Sequence, residues 1–472
     1  MTTRAWIAAL AGLALSASLA AQTSTTTFDH PPTVTPAANA TLKAIVAQIS
    51  AANIHADQVA LVGFGTRLAT EETDSTTTGT AAARAWLVAQ FQKYSAASGG
   101  RLQVREEHFM VPAGFRIRKP VPMTNVIATL PGDDPSNHQI FVMGGDYDTI
   151  GGFGGGTDSR TPTVGPGAND DASGVAVALE LARVMSQYHF PATLQFIAFD
   201  GEEEGLYGAY WHAREQNAAN QDVVAMIDDD IVGGDNTPGH ANTNRMRVYS
   251  EGVPEDASPR QILRLATIGG ENDSSPREVS RYASGIAALY LPDFQVVQEY
   301  RRDRFGRGGD DIAYLQNGFA AVRMTDYYEN YDHQHQWKRM YHGVQFGDLL
   351  QFTNPSYTAN VARVNALTLG ALALAPATPA PLEQQRRGWG THLSWSAVPG
   401  AVSYRVLLRP TAAPQWTLRY DVHGTSINLD KSLDDFIMGV VAVGAAGTES
   451  LPTIPLANAS TLGPPFPAPV KH

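Results

Sequence analysis

The chain has 472 residues, 43% hydrophobic and 17% charged, with a formal net charge of -12 and no cysteine. That length exceeds one compact core of roughly 100–200 residues, and the composition excludes disordered and fibrous classes. The negative charge argues against a nucleic-acid or anionic-membrane partner. Without cysteine there are neither disulfides nor thiolate ligands, so any metal must be held by His, Asp and Glu.

Residues 1–21 read as a secretory signal: Arg4 supplies the positive start, AWIAALAGLALSASLA the apolar stretch, and Ser18, Ala20 and Ala21 a small-residue cleavage site. The run is shorter than the roughly 20 residues a membrane span needs. No later segment is apolar enough to cross a bilayer, so a secreted or periplasmic protein without a membrane span is expected. Residues 22–40, polar and Pro-rich, are expected to form a loose leader.

From residue 41 helical and extended patterns alternate. ATLKAIVAQISA and GTAAARAWLVAQFQKYSAA have amphipathic helical spacing, and ASGVAVALELARVMSQY suits a helix buried on a sheet. NVIATLPG, HQIFVMGGDYD, TLQFIAFDGEE and DVVAMIDDDIVGG are short β-rich runs. Strands alternating with helices predict an α/β fold with a mostly parallel mixed sheet flanked by helices over 41–373. In such sheets ligands bind beyond the carboxyl ends of the strands, where this chain places acidic residues. The Pro/Ala-rich stretch at 374–387 reads as a linker, and residues 388–465 as a small all-β sandwich of short alternating runs. There LSWSAVPGAVSYRVLLRP resembles a fibronectin type III module, with Trp395 and Tyr404 at core aromatic positions. The resemblance implies a spacer, or a unit that binds an unknown surface or partner.

Four acidic clusters follow strand-like runs: Asp146 with Asp148, Asp170 with Asp171, Glu202 to Glu204, and Asp228 to Asp230. Brought to one edge of a sheet they would repel one another severely without cations. A pair of divalent metals sharing a carboxylate accounts for them economically. Asp171 is expected to cap the following helix and Glu204 to sit on a solvated face.

PGANDDASGVA and GEEEGLYGA, at their separation, resemble the secreted di-zinc aminopeptidases related to bacterial leucyl aminopeptidase and glutamate carboxypeptidase. The resemblance spans roughly residues 41–375. It implies that Asp170 bridges two metals, Glu203 and Asp230 ligate one each, and Glu202 is the general base of a two-metal-activated water. The chain departs from the family at Asp146, where relatives carry a histidine ligand, and Asp148 then lacks the imidazole it would orient. Asp146 can still bind as an oxygen donor, and an all-oxygen set of Asp146, Asp170 and Asp230 favours harder ions. Zinc is the first choice of metal, with Mn, Mg or Ca able to fill the position near Asp146. The last ligand is a histidine in DHQHQW: His333 fits first, with His335 the alternative, and in an extended segment both would point the same way.

These readings converge on an exported metallo-aminopeptidase acting on peptide or protein substrates. The alternatives are a catalytically impaired binding protein on the same fold, with Asp146 as its motive, and glutaminyl-cyclase-like acyl transfer.

Overall fold

The computed structural model describes residues 27–71, 75–114, 116–152, 164–379 and 382–455. The segment read as a secretory signal, residues 1–21, and most of the glycine-rich stretch after Asp148 lie outside the described residues.

Strands β1 (Gln103–Val111), β2 (Val121–Leu130), β3 (Gln139–Asp146), β4 (Thr193–Phe199), β5 (Asp222–Asp229), β6 (Arg245–Ser250), β7 (Gln295–Glu299) and β8 (Ala321–Asp326) form one sheet in the order β1-β2-β4-β3-β5-β8-β6-β7. Its centre, β4-β3-β5-β8, is parallel, and β1–β2, β2–β4 and β6–β8 pair antiparallel. Side chains alternate between two cores, as strand geometry requires. Along β4, Leu194, Phe196 and Ala198 face a core shared with the helices Ala51–Gly63, Gly79–Ala97, Ala172–Met185 and Pro355–Ala373. Ile197 and Phe199 face the other core, closed by the helices Tyr207–Ala218 and Asp311–Gln316. Strands covered on both sides explain their near-continuous apolar runs. A small hairpin, β9 (Arg339–Tyr341) with β10 (Val344–Phe346), follows the sheet.

Two glycines set how closely the buried helix approaches the sheet. A Cβ at Gly174 would stand 2.0 Å from the Asp229 carbonyl oxygen, and one at Gly145 would stand 2.5 Å from Asp171 Oδ2. Neither distance is compatible with any side chain, so the first turn of helix Ala172–Met185 can rest on β3 and β5 only with glycine at both positions.

The loops at the carboxyl ends of the strands are fastened by Arg67, which is fully buried. Its Nε donates to the Tyr147 carbonyl at 2.6 Å, Nη1 to Leu61 at 3.0 Å and Pro166 at 2.8 Å, and Nη2 to Gly167 at 3.3 Å. One guanidinium therefore joins the segment carrying Asp146 and Asp148 to the segment leading into Asp170. Burial lowers the Arg67 pKa to about 10, and Asp146, Asp148 and Asp348 oppose that fall.

The C-terminal residues build two three-stranded sheets, β11-β12-β15 and β14-β13-β16, from β11 (Leu382–Arg387), β12 (Gly390–Trp395), β13 (Ala401–Pro410), β14 (Leu418–Val422), β15 (Ser426–Leu429) and β16 (Phe436–Gly444). Leu393, Trp395, Ile427, Tyr404, Val406 and Val440 from the two sheets share one core. The first strand falls inside the segment read as linker, because its extended backbone finds a partner in β12, with Leu382 opposite Trp395.

The leader is not loose over its described part. Asp29 N donates to Asn428 O at 2.7 Å and Val34 N to Arg419 O at 2.9 Å, so residues 29–34 run along the edges of both small sheets. Asn39 then donates to Ala446 O and caps helix Ala40–Ala47 at Leu42 N. Local composition could not reveal this, since the partner strands lie about 400 residues away in sequence. The sandwich is also docked on helix Ser275–Tyr290: Trp416 Nε1 donates to Glu278, Arg281 Nε to the Pro414 carbonyl, and Arg409 pairs with buried Asp273.

Two outcomes are expected. Arg67→Met leaves several buried carbonyls without donors and should lower unfolding stability by about 3 kcal/mol, measured by denaturant titration of metal-free protein. Asp273→Ala strands Arg409 in the module interface at a cost of about 3 kcal/mol. Limited proteolysis should then cut within residues 374–381 faster than in the parent protein.

Candidate metal centre

β3, β4 and β5 end side by side, and each hands an acid to the same place. Asp146 is the last residue of β3, Asp230 follows β5, and Glu202 and Glu203 open the short helix Glu202–Gly205 after β4. Asp170 comes from the loop that precedes helix Ala172–Met185. The turn into Glu202 passes through Gly201 at φ +78°, a left-handed conformation that glycine adopts without strain.

The acids assemble into two groups that share Asp170. Ligand atoms of Asp170, Glu203 and His335 lie within 4.8 Å of one another, and so do those of Asp146, Asp170 and Asp230. His335 Nε2 lies 2.8 Å from Asp170 Oδ2 and 3.0 Å from Glu203 Oε2. Asp146 Oδ2, Glu203 Oε1 and Asp230 Oδ1 are buried with no hydrogen-bond partner. Buried polar atoms are ordinarily paired, so this donor set suits cations: each of the two groups sharing Asp170 contains at least one carboxylate with an orphaned buried oxygen, and one group adds an imidazole.

The field at the site follows from this crowding. Burial pushes Asp146 well above the usual carboxylate range, and Asp171, Glu202, Asp148 and Asp230 push the same way. Glu202 is raised by burial first, then by Glu203, Asp230, Asp310 and Asp170. Burial also acts on Asp170, but the adjacent His335, with Arg307 and Arg323, outweighs it and holds that carboxyl below its ordinary value. Burial alone would lower His335; Glu203 and Asp170 instead carry its pKa up to about 10.

Asp148, expected to lack the imidazole that it would orient, has backbone partners instead. Its Oδ1 accepts from Gly201 N at 2.7 Å and Glu202 N at 3.1 Å, and its Oδ2 from Glu203 N at 3.3 Å. It therefore holds the backbone that presents the two glutamates, an N-terminal cap supplied from another strand. Asp171 caps helix Ala172–Met185 through Gly174 N at 2.9 Å. Glu204, expected on a solvated face, is buried, because the helix turns it under the loop near Asp148, Asp200 and Arg116.

His333, the first choice from sequence, is not brought to the acids. Its Nδ1 lies 2.5 Å from Asp235 Oδ2, and its ring stacks on Phe352 with centroids 3.6 Å apart. His335 takes the position instead. The two rings diverge because residues 331–335 form turns rather than an extended strand, with His335 at φ +54°.

Asp348, Arg323 and Gln334, which the sequence did not single out, support the site together with Arg307 and Asp310. Asp348 accepts from Asn169 N at 2.8 Å and Asp170 N at 2.7 Å, fixing the shared carboxylate's backbone. Arg323, fully buried on β8, places Nη2 2.7 Å from Asp230 Oδ2 and Nη1 3.1 Å from Asp303 Oδ2. Gln334 donates to Asp170 Oδ2 at 3.2 Å and accepts from Arg307. Asp310, buried with both oxygens unpartnered, adds to the negative field on Asp230 and Glu202. The one sequence signal for Arg323 was a lone cation inside an apolar strand, AAVRMTD, since burial there requires paired acids.

Comparison with known proteins places this geometry. The chain is 38% identical over 431 residues to a probable zinc metalloprotease of Leptosphaeria maculans, an alignment covering 88% of this chain and 97% of the relative. It is 37% identical to a probable zinc metalloprotease of Pyrenophora teres f. teres, covering 87% and 85%. Among solved structures the LapA aminopeptidase of Legionella pneumophila superposes with a TM-score of 0.51 at 20% identity, covering 73% of this chain and 78% of that one. LapB of the same organism gives 0.51 at 19%, covering 74% and 79%. At such identities the likeness concerns the fold. The model of Peptidase family M28 matches residues 125–366, a span that contains every acid of the two groups and His335. The chain belongs to peptidase family M28.

Proposed function

We propose that this protein is an exported metal-dependent exopeptidase that removes N-terminal residues from peptides, with Glu202 as general base. The observation that carries the reading is Asp170: one carboxylate common to two three-residue donor groups, with Glu202 at their side. Asp146, Asp170 and Asp230 would hold one divalent ion, and Asp170, Glu203 and His335 another, with zinc the metal suggested by the relatives' names. Bound there, two such ions polarise a peptide carbonyl and make water a competent nucleophile near neutral pH.

The protein's own part is positioning and proton handling. Glu202 and Glu203 are adjacent, so one carboxylate can face the cations while the other takes a proton from the attacking water. Placed beside the ligand Glu203, the Glu202 carboxylate can take the water's proton and later return it to the leaving amine. Asp148 fixes both residues through their backbone N–H groups. Export is inferred from the signal-like residues 1–21, and the aminopeptidase preference draws on the fold shared with LapA. We read the C-terminal sandwich as fibronectin type III-like, supported by its two sheets and by Trp395 packed edge-on to Tyr404.

Glu202→Gln should reduce kcat on peptide p-nitroanilides by roughly 10²–10⁴-fold while metal content and thermal stability hold; full activity would refute the assigned base. His335→Ala should lower bound zinc in elemental analysis, whereas His333→Ala should retain it, because that ring faces Asp235. Absence of turnover with Zn, Mn or Co would sink the peptidase reading in favour of a binding protein.

A further inference from the structure

The two donor groups are not chemically alike. The group of Asp170, Glu203 and His335 offers two carboxylates and an imidazole, whereas that of Asp146, Asp170 and Asp230 offers oxygen alone. In the second group Asp230 is also committed elsewhere. Its Oδ2 meets Arg323 Nη2 at 2.7 Å, leaving Oδ1, buried and unpartnered, as the oxygen available to a cation. Arg323 cannot swing away, since it is fully buried and its other nitrogen lies 3.1 Å from Asp303 Oδ2 and donates to the Gly308 carbonyl. A cation at this position would share Asp230 with a fixed guanidinium. Asp146 adds one unpartnered buried oxygen, Oδ2.

Ligand type sorts divalent ions. Imidazole suits zinc, and carboxylate oxygens suit magnesium, manganese and calcium. A positive charge held against one oxygen of a carboxylate weakens the whole carboxylate, its other oxygen included, as a donor to a second cation. We propose that the two positions sharing Asp170 hold different metals. The position with His335 takes zinc firmly, and the position with Asp146 is an exchangeable site for a harder divalent ion such as manganese. The inference rests on the metal-dependent reading above and deepens it: Asp146 and Arg323 together make one half of the centre labile.

The test counts metal without substrate, so it is decided separately from the turnover that tests the peptidase reading. Mature protein is stripped with chelator, loaded with zinc and manganese together, dialysed, and assayed by elemental analysis, with zinc affinities taken by calorimetry. The expected result is one zinc retained per chain and a second position that carries manganese or empties. Asp146→His should then give two retained zinc ions, raising zinc affinity at the weaker position by at least about tenfold and leaving the stronger one unchanged. Two zinc ions retained by the parent protein with affinities within about threefold would overturn the inference. An unchanged weaker position in Asp146→His would overturn it as well.

Discussion

The structure is organised around a buried concentration of like charge. Asp146, Asp148, Asp170, Asp171, Glu203, Asp228, Asp229 and Asp230 are all buried at the carboxyl ends of adjacent strands. Carboxylates held this close in a low-dielectric interior repel strongly unless protonated, hydrogen-bonded or met by cations. The fold divides those solutions among its acids. Asp148, through both oxygens, and Asp171, through Oδ1, accept from backbone N–H groups, Asp229 accepts from Asn365 Nδ2, and Asp230 leans on Arg323. Within the two donor groups, Asp146 Oδ2, Glu203 Oε1 and Asp230 Oδ1 stay buried without a hydrogen-bond partner, and these are oxygens that a metal can satisfy.

The countercharges are as informative as the acids. Arg67 and Arg323 are both fully buried, yet they act differently. Arg67 turns its guanidinium to carbonyls and fixes loop geometry, while Arg323 meets carboxylates and fixes the orientation of a candidate ligand. A flexible ammonium could not make either set of contacts, because both depend on the planar fork of donors. Precision at the site therefore comes from residues one layer below the acids.

The same principle extends to the far end of the molecule. The sandwich is bound to the catalytic portion by buried polar contacts around Arg281, Glu278, Trp416 and Arg409, and by the segment at 29–39 that crosses its sheet edges. A module attached through one linker would be free to reorient. This one is held at both of its covalent and non-covalent junctions, so it stands in a defined place relative to the sheet.

Much of this was legible in the sequence, for identifiable reasons. The parallel sheet follows from apolar runs alternating with helices, and the acids at the strand exits follow from their adjacency to those runs, as in GGDYD and FDGEEEG. The glycines of DASG and GGD reflect a close approach that any side chain would block. Local chemistry of this kind is written in consecutive residues. Three matters were settled only by tertiary structure. His335 rather than His333 meets Asp170, because a turn rotates one ring toward the acids and the other toward Asp235. Asp148 serves a backbone 53 residues away, and Arg323 pairs with an acid just past the end of the neighbouring strand. The leader finds its partners about 400 residues on. Side-chain periodicity determines which elements form and which face is buried, but the direction of a ring in a turn, and the partner of a buried charge, depend on contacts between segments remote in sequence.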